Sequence, residues 1–155
     1  MSFIVRPATV DDALGIATVH VTSWRESYSG FMSPGFLAAM SIPERAVGWR
    51  TAIERDRTIH VLDVDGEVRG FSIAGQSDGP RDLELRLLYQ LASEHGTGSG
   101  QALLDAAIGD RPAHLWVAEL NPRAQAFYRR NGFEADGERK VEPLWENLAE
   151  IRMVR

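Results

Sequence analysis

LWVAELNPRAQAFYRRNGF, residues 115–133, contains two secondary-structure elements and the signals that separate them. The apolar run AHLWVA, after Arg111-Pro112, is short and β-rich enough to be a strand. Asn121-Pro122 then opens a helix over about 122–131. Asparagine accepts from first-turn amides, and proline at the first helical position lacks an N–H that would otherwise go unpaired. Asn131-Gly132 stops it, and Phe133 begins another strand. An adjacent Phe127-Tyr128 on such a helix packs it against a sheet, whatever else the tyrosine does.

Upstream, residues 94–104 read EHGTGSGQALL, with glycine at 96, 98 and 100. LELRLLYQL (83–91) before it reads as a central strand, and 98–108 after it as a helix. A strand end, a run of backbone amides and a helix start together form a site for an anion. The competing reading is a tight turn in which glycine eases packing. Two nucleotide motifs fail on their residues. A P-loop needs Gly-Lys-Ser/Thr, but Gln101 follows Gly100. A dinucleotide fingerprint needs G-x-G-x-x-G, which this spacing does not meet.

The other elements continue outward from these two segments. SFIVRPA near the N-terminus reads as a strand, and Thr9 caps a helix to about Ser27 with Asp11 and Asp12 in its first turn. Short helices follow over 34–40 and 43–55, the second with Pro43 in its first turn. Thr58–Asp63 and Val68–Ala74 are two strands whose Asp65-Gly66 link signals a hairpin. Phe133–Arg139 and Leu148–Val154 are the last strands. The pattern is α/β (α+β layered), about seven strands in a mixed sheet with about four helices. No repeat or linker interrupts it, so one domain over 1–155 is expected.

With 155 residues and a net charge of −5, the chain has no basic face for nucleic acid. It has no apolar run of membrane-spanning length and no signal-peptide pattern, so a cytoplasmic location is expected. It has no cysteine, which removes disulfides, thiolate metal sites and a cysteine nucleophile. His20, His60 and His114 lack metal-ligand spacing and read as structural or surface residues.

The two segments together resemble the GCN5-related N-acetyltransferase (GNAT) superfamily. Its acetyl-CoA motif, [Q/R]-x-x-G-x-[G/A], lies over His95-Gly96-Thr97-Gly98-Ser99-Gly100. Its second motif, L-x-V-x-x-x-N-x-x-A-x-x-F-Y-x-x-x-G-F, is met by Leu115, Val117, Asn121, Ala124, Phe127, Tyr128, Gly132 and Phe133. The resemblance is strong over about 83–135. Two positions depart from it: His95 replaces the usual Arg or Gln, and Ala92 stands where proline is frequent.

The resemblance implies a GNAT acyl-CoA N-acyltransferase fold and acetyl-CoA as cofactor. The CoA pyrophosphate would lie on the amides from Gly96 to Gln101, and pantetheine along the backbone of Leu88, Tyr89 and Gln90. Asn121 would touch the pantetheine arm or cap its helix. Tyr128 would be the general acid toward the leaving thiolate. Glu84 is the candidate base, with Glu119 or a water relay as alternatives. The acceptor would be a primary amine of a small, cationic molecule, or a protein N-terminus. Trp24, Tyr28, Phe31 and Trp145 would wall its pocket, with Glu26 or Glu142 reading an ammonium. The bland alternative has Trp24 and Phe31 anchoring helices on the sheet. A homodimer paired through C-terminal strand edges also fits the family. The reading from another class is a non-catalytic acyl-CoA sensor, which would not need Tyr128.

Overall fold

The computed structural model describes residues 2–55 and 58–155. The elements are β1 (Phe3–Pro7), α1 (Ala13–Tyr28), α2 (Pro34–Ala39), α3 (Ile42–Arg55), β2 (Ile59–Val64) and β3 (Glu67–Gln76). They continue with β4 (Leu83–Gln90), α4 (Ser99–Ala107), β5 (His114–Ala118), α5 (Pro122–Arg130), β6 (Glu134–Glu142) and β7 (Leu148–Val154). The seven strands form one sheet in the order β1-β2-β3-β4-β5-β7-β6. The β4–β5 ladder is parallel, pairing Glu84 with His114 and Leu85 with Leu115. β1–β2, β2–β3, β5–β7 and β6–β7 are antiparallel. This is the expected mixed α/β sheet. Five α-helices lie among the described residues, in line with the expected about four; the six-residue α2 has its own cap, Ser33 Oγ accepting from the Phe36 amide.

The chain divides into two compact units. One comprises Met1–Ala74 and Leu87–Gly109, the other Gly75–Arg86 and Asp110–Arg155.

In the first unit, the α1 entry is set by Asp12, whose carboxylate accepts the Thr9 amide at 2.8 Å. Arg6 on β1 reaches the same carboxylate at 2.8 Å and Asp63 on β2 at 3.1 Å. Two-residue alternation along β2 then serves two cores. Val61 faces one built with Ile16, Val19, Ile53, Phe71 and Ile73. Leu62 and Val64 face another with Leu103 of α4, where Leu88 also packs. Gly15 lets α1 lie directly on β3, since a Cβ there would stand 2.8 Å from Val68 Cβ.

In the second unit, Leu115, Met153 and Phe133 are fully buried, and Tyr128 of α5 meets Phe133 edge-on at 5.9 Å. Gln125 ties α5 to the end of β5, its amide donating to the carbonyls of Ala118 and Glu119 at 3.0 and 2.8 Å. Trp116 points the other way, under Lys140 at 4.5 Å and Arg152 at 5.7 Å. No helix among the described residues is long and apolar enough to cross a membrane.

Candidate active site

The glycine loop joins β4 to α4 within the first unit. Gly96 and Gly98 both take left-handed backbone, with φ of +80° and +86°, which only glycine adopts without strain. Gly98 is also the N-cap of α4 and offers no side-chain acceptor to the first turn, where the Ser99 amide donates to Thr97 Oγ1 at 3.4 Å. At Gly96 and Gly98 a Cβ would meet nothing within 4 Å, so the loop's outer side is open. Gly100 differs: its backbone is ordinary, and a Cβ there would touch the Gln90 side chain at 3.4 Å. An open surface at the positive end of a helix binds an anion through backbone, independent of side-chain identity.

The loop is closed underneath by hydroxyls. Thr97 donates to the Glu94 carbonyl at 2.7 Å and lies 2.8 Å from the Ser99 hydroxyl. Ser99 is fully buried and donates to Gln90 Oε1 at 2.9 Å. His95 sits half-buried just ahead of Gly96, its amide donating to the Ala92 carbonyl at 3.1 Å. Gln101 follows on α4, its amide group donating to Asp105 at 2.9 Å.

On β4 the side chains alternate between two faces. Leu88 and Gln90 turn toward α4, whereas Leu87 and Tyr89 turn toward the core of α1 and α3. Tyr89 stacks on His20 at 5.5 Å, and Trp24, Trp49 and Phe71 meet the same imidazole edge-on within 6.2 Å. Burial, with the charge of Arg45 adding, pushes His20 down to about 4. It is neutral at pH 7, and Nδ1 is buried with no hydrogen-bond partner among the described residues. His20 is therefore structural, held inside an aromatic cluster.

Of the expected acceptor residues, Trp24 and Tyr28 lie together, rings 5.0 Å apart and both buried. Phe31 stands 54% exposed, which excludes it as a helix anchor. Glu26 accepts the Ala92 amide at 3.1 Å, linking α1 to the turn after β4.

The second unit holds Tyr128, Asn121, Glu84 and Trp145. Asn121 is the N-cap of α5, its Oδ1 accepting from the Ala124 amide at 3.1 Å. Tyr128 is 7% exposed, between Phe127 and Phe133. Trp145 is half-buried in the β6–β7 connection, beside Leu144, which is 83% exposed. Glu119 is paired with Arg139 at 2.5 Å. Glu84 lies 3.9 Å from Arg86.

Sequence reading missed Glu150 of β7. Burial raises its pKa, with repulsion from Glu142 and Glu84 adding and Lys140 opposing. In sequence it is one more alternating strand residue. Only the ladder, which pairs it with Ala118 and Lys140, shows its surroundings.

Residues 55–135 match the family model described as acetyltransferase (GNAT) domain. Probable N-acetyltransferase Rv2775 of Mycobacterium tuberculosis is 26% identical over 140 residues, 86% of this chain and 80% of that protein. The uncharacterized N-acetyltransferase YuaI of Bacillus subtilis is 29% identical over 157 residues, 95% of this chain and 89% of its own. Among solved structures, PaiA N-acetyltransferase of Thermoplasma acidophilum, in complex with coenzyme A, aligns with a TM-score of 0.71. That alignment has 21% identity and covers 98% of each chain, a likeness of fold.

Proposed function

The chain belongs to the GNAT acetyltransferase family, and from that premise we propose that it transfers acetyl from acetyl-CoA directly to a primary amine. The observation that carries the proposal is the open loop at Gly96 and Gly98 ahead of an α4 whose N-cap lacks a side chain. A pyrophosphate suits such a surface: it is doubly anionic, compact and read by amides. The complex of PaiA with coenzyme A supports the same ligand. When bound, acetyl-CoA supplies an activated thioester.

The roles of the chain's residues follow. The amides over Gly96–Gln101 hold the phosphates, and the backbone of Leu88, Tyr89 and Gln90 aligns the pantetheine arm, with His95 and the Thr97 and Ser99 hydroxyls flanking or supporting the loop. Asn121 keeps the first turn of α5 closed and so fixes Tyr128 on its helix. Tyr128 passes its phenolic proton to the departing sulfur; a phenol of pKa about 10 suits a thiolate whose conjugate acid lies near 8.5. Glu84 accepts the proton from the amine, with the Glu150 carboxylate next in line as its alternative. The chain has no cysteine to carry acetyl, so amine and thioester meet in one ternary complex.

The acceptor is a small cationic amine, taken beside the aromatic residues Trp24, Tyr28, Phe31 and Trp145. Both units act as one transferase domain, and a homodimer joined at C-terminal strand edges is the assembly carried over from the family. The test is release of free CoA thiol across a panel of polyamines, amino-acid amines, aminoglycosides and peptide N-termini. Turnover with intersecting initial-rate lines is expected. Parallel, ping-pong lines would refute direct transfer, and no turnover with any amine would favour the acyl-CoA sensor.

A further inference from the structure

Outside the motif that marks the loop, one residue holds it twice. Glu94 is buried, 4% exposed, and ends the short turn between β4 and the glycines. Its carboxylate accepts from Arg69 of β3 at 3.2 Å. Its carbonyl accepts the Thr97 hydroxyl at 2.7 Å, with the Ser99 hydroxyl oxygen 3.3 Å away. Arg69 is itself fixed, bonded to Glu67 at 3.1 Å and giving its own carbonyl to the Leu91 amide at 3.0 Å. Gly96 and Gly98 flank Thr97, so the bond from Thr97 to Glu94 fixes the chain between the two left-handed residues.

A carboxylate beneath an anion site weakens it unless that charge is neutralised. Here Arg69 neutralises it, and a charge-assisted bond of this kind is also stronger than a neutral one. Two flexible glycines would otherwise cost conformational entropy whenever the loop closed on a ligand.

We propose that Glu94, anchored by Arg69, is a positioning residue that shapes the glycine loop for pyrophosphate before the cofactor arrives. It rests on the reading of this loop as the acetyl-CoA site. Glu94 touches no ligand. It acts through Thr97 and Ser99 on the backbone between Gly96 and Gly98.

Calorimetric titration with acetyl-CoA, together with steady-state kinetics on an accepted amine, tests this in Glu94→Ala, Glu94→Gln, Arg69→Met and Thr97→Val. Glu94→Ala is expected to raise Kd and the KM for acetyl-CoA about tenfold, with kcat at saturation within about twofold. Glu94→Gln keeps an oxygen for Arg69 and should recover most of the affinity. Arg69→Met should match Glu94→Ala, and the double variant should be no worse than either single. Thr97 is exposed, so Thr97→Val keeps the fold testable if a buried change does not, and should weaken binding by a smaller factor. Unchanged Kd in Glu94→Ala and Thr97→Val would overturn the proposal. A fall in kcat at constant KM would do the same. Failure of the wild type to bind acetyl-CoA would instead remove the cofactor reading, and the proposal with it.

Discussion

The glycine loop and the Asn121–Phe133 segment carry the family's two motifs, yet they are built in opposite ways. In the loop the working atoms are backbone amides, and the side chains of Glu94, Thr97 and Ser99 act as scaffolding. In α5 the proposed working atom belongs to a side chain, Tyr128, that is also part of the core. Function and packing can therefore be separated in the loop by changing what lies beneath it. In α5 they separate only if the ring stays and the hydroxyl goes.

The sharpest test of that contrast is Tyr128→Phe. The ring contacts with Phe127 and Phe133 persist, so the melting temperature should move little while turnover falls about 100-fold or more and acetyl-CoA affinity holds. Turnover near wild type would take the general-acid role from Tyr128.

A second test uses acid, to which His20 and Glu150 respond with opposite sign. Folded His20 stays neutral to about pH 4, whereas in the unfolded chain it protonates near 6.5. Its contribution is full above pH 6.5 and is lost as pH falls toward 4, by about 3 kcal/mol. His20→Phe should flatten that slope in urea melts run from pH 7 to 4, and an unchanged slope would refute the buried neutral imidazole. Glu150 works the other way, because its raised pKa favours folding at low pH and that benefit is lost as pH rises through the folded value. Glu150→Gln should remove the loss that accompanies ionisation of this carboxyl as pH rises.

A smaller effect is expected from the backbone. Gly98→Val forces a β-branched residue to φ of +86° and fills the open side of the loop, so the acetyl-CoA Kd should rise about tenfold or more by calorimetry. Unchanged binding would defeat the amide cradle. Smallest is Asn121→Ala, which removes the cap bond to Ala124 and should cost about 1 kcal/mol in equilibrium unfolding.

Punctuation made most of the fold readable. Asp65-Gly66, Ser33-Pro34, Asn121-Pro122 and Asn131-Gly132 mark turns by local chemistry, and the elements they bound lie where expected. The loop's place was legible too, because three glycines between a strand and a helix start mark it, whereas the left-handed backbone at Gly96 and Gly98 came from the structure. What stayed hidden depends on distant pairs. Arg69 lies 25 residues from Glu94, and an acidic residue next to an anion loop reads as an obstacle until its partner is seen. His20 occupies an apolar stripe, but its aromatic neighbours come from α3, β3 and β4 as well as α1. Phe31 shows the converse, an aromatic that composition would bury and that stands in solvent.

The division of the chain also fixes a schedule for its synthesis. β1 must wait for β2, since Phe3 pairs with Val64. The first unit is interrupted at Ala74 and resumes only at Leu87, so it is not complete until Gly109 has left the ribosome. The second begins inside that interruption and runs from Asp110 to Arg155. At about 5–20 residues per second, a nascent chain spends about 1–4 seconds with the glycine loop made and α5 not yet begun. During that interval the first unit depends on its own two cores and on the Arg6, Asp12 and Asp63 contacts to stay closed.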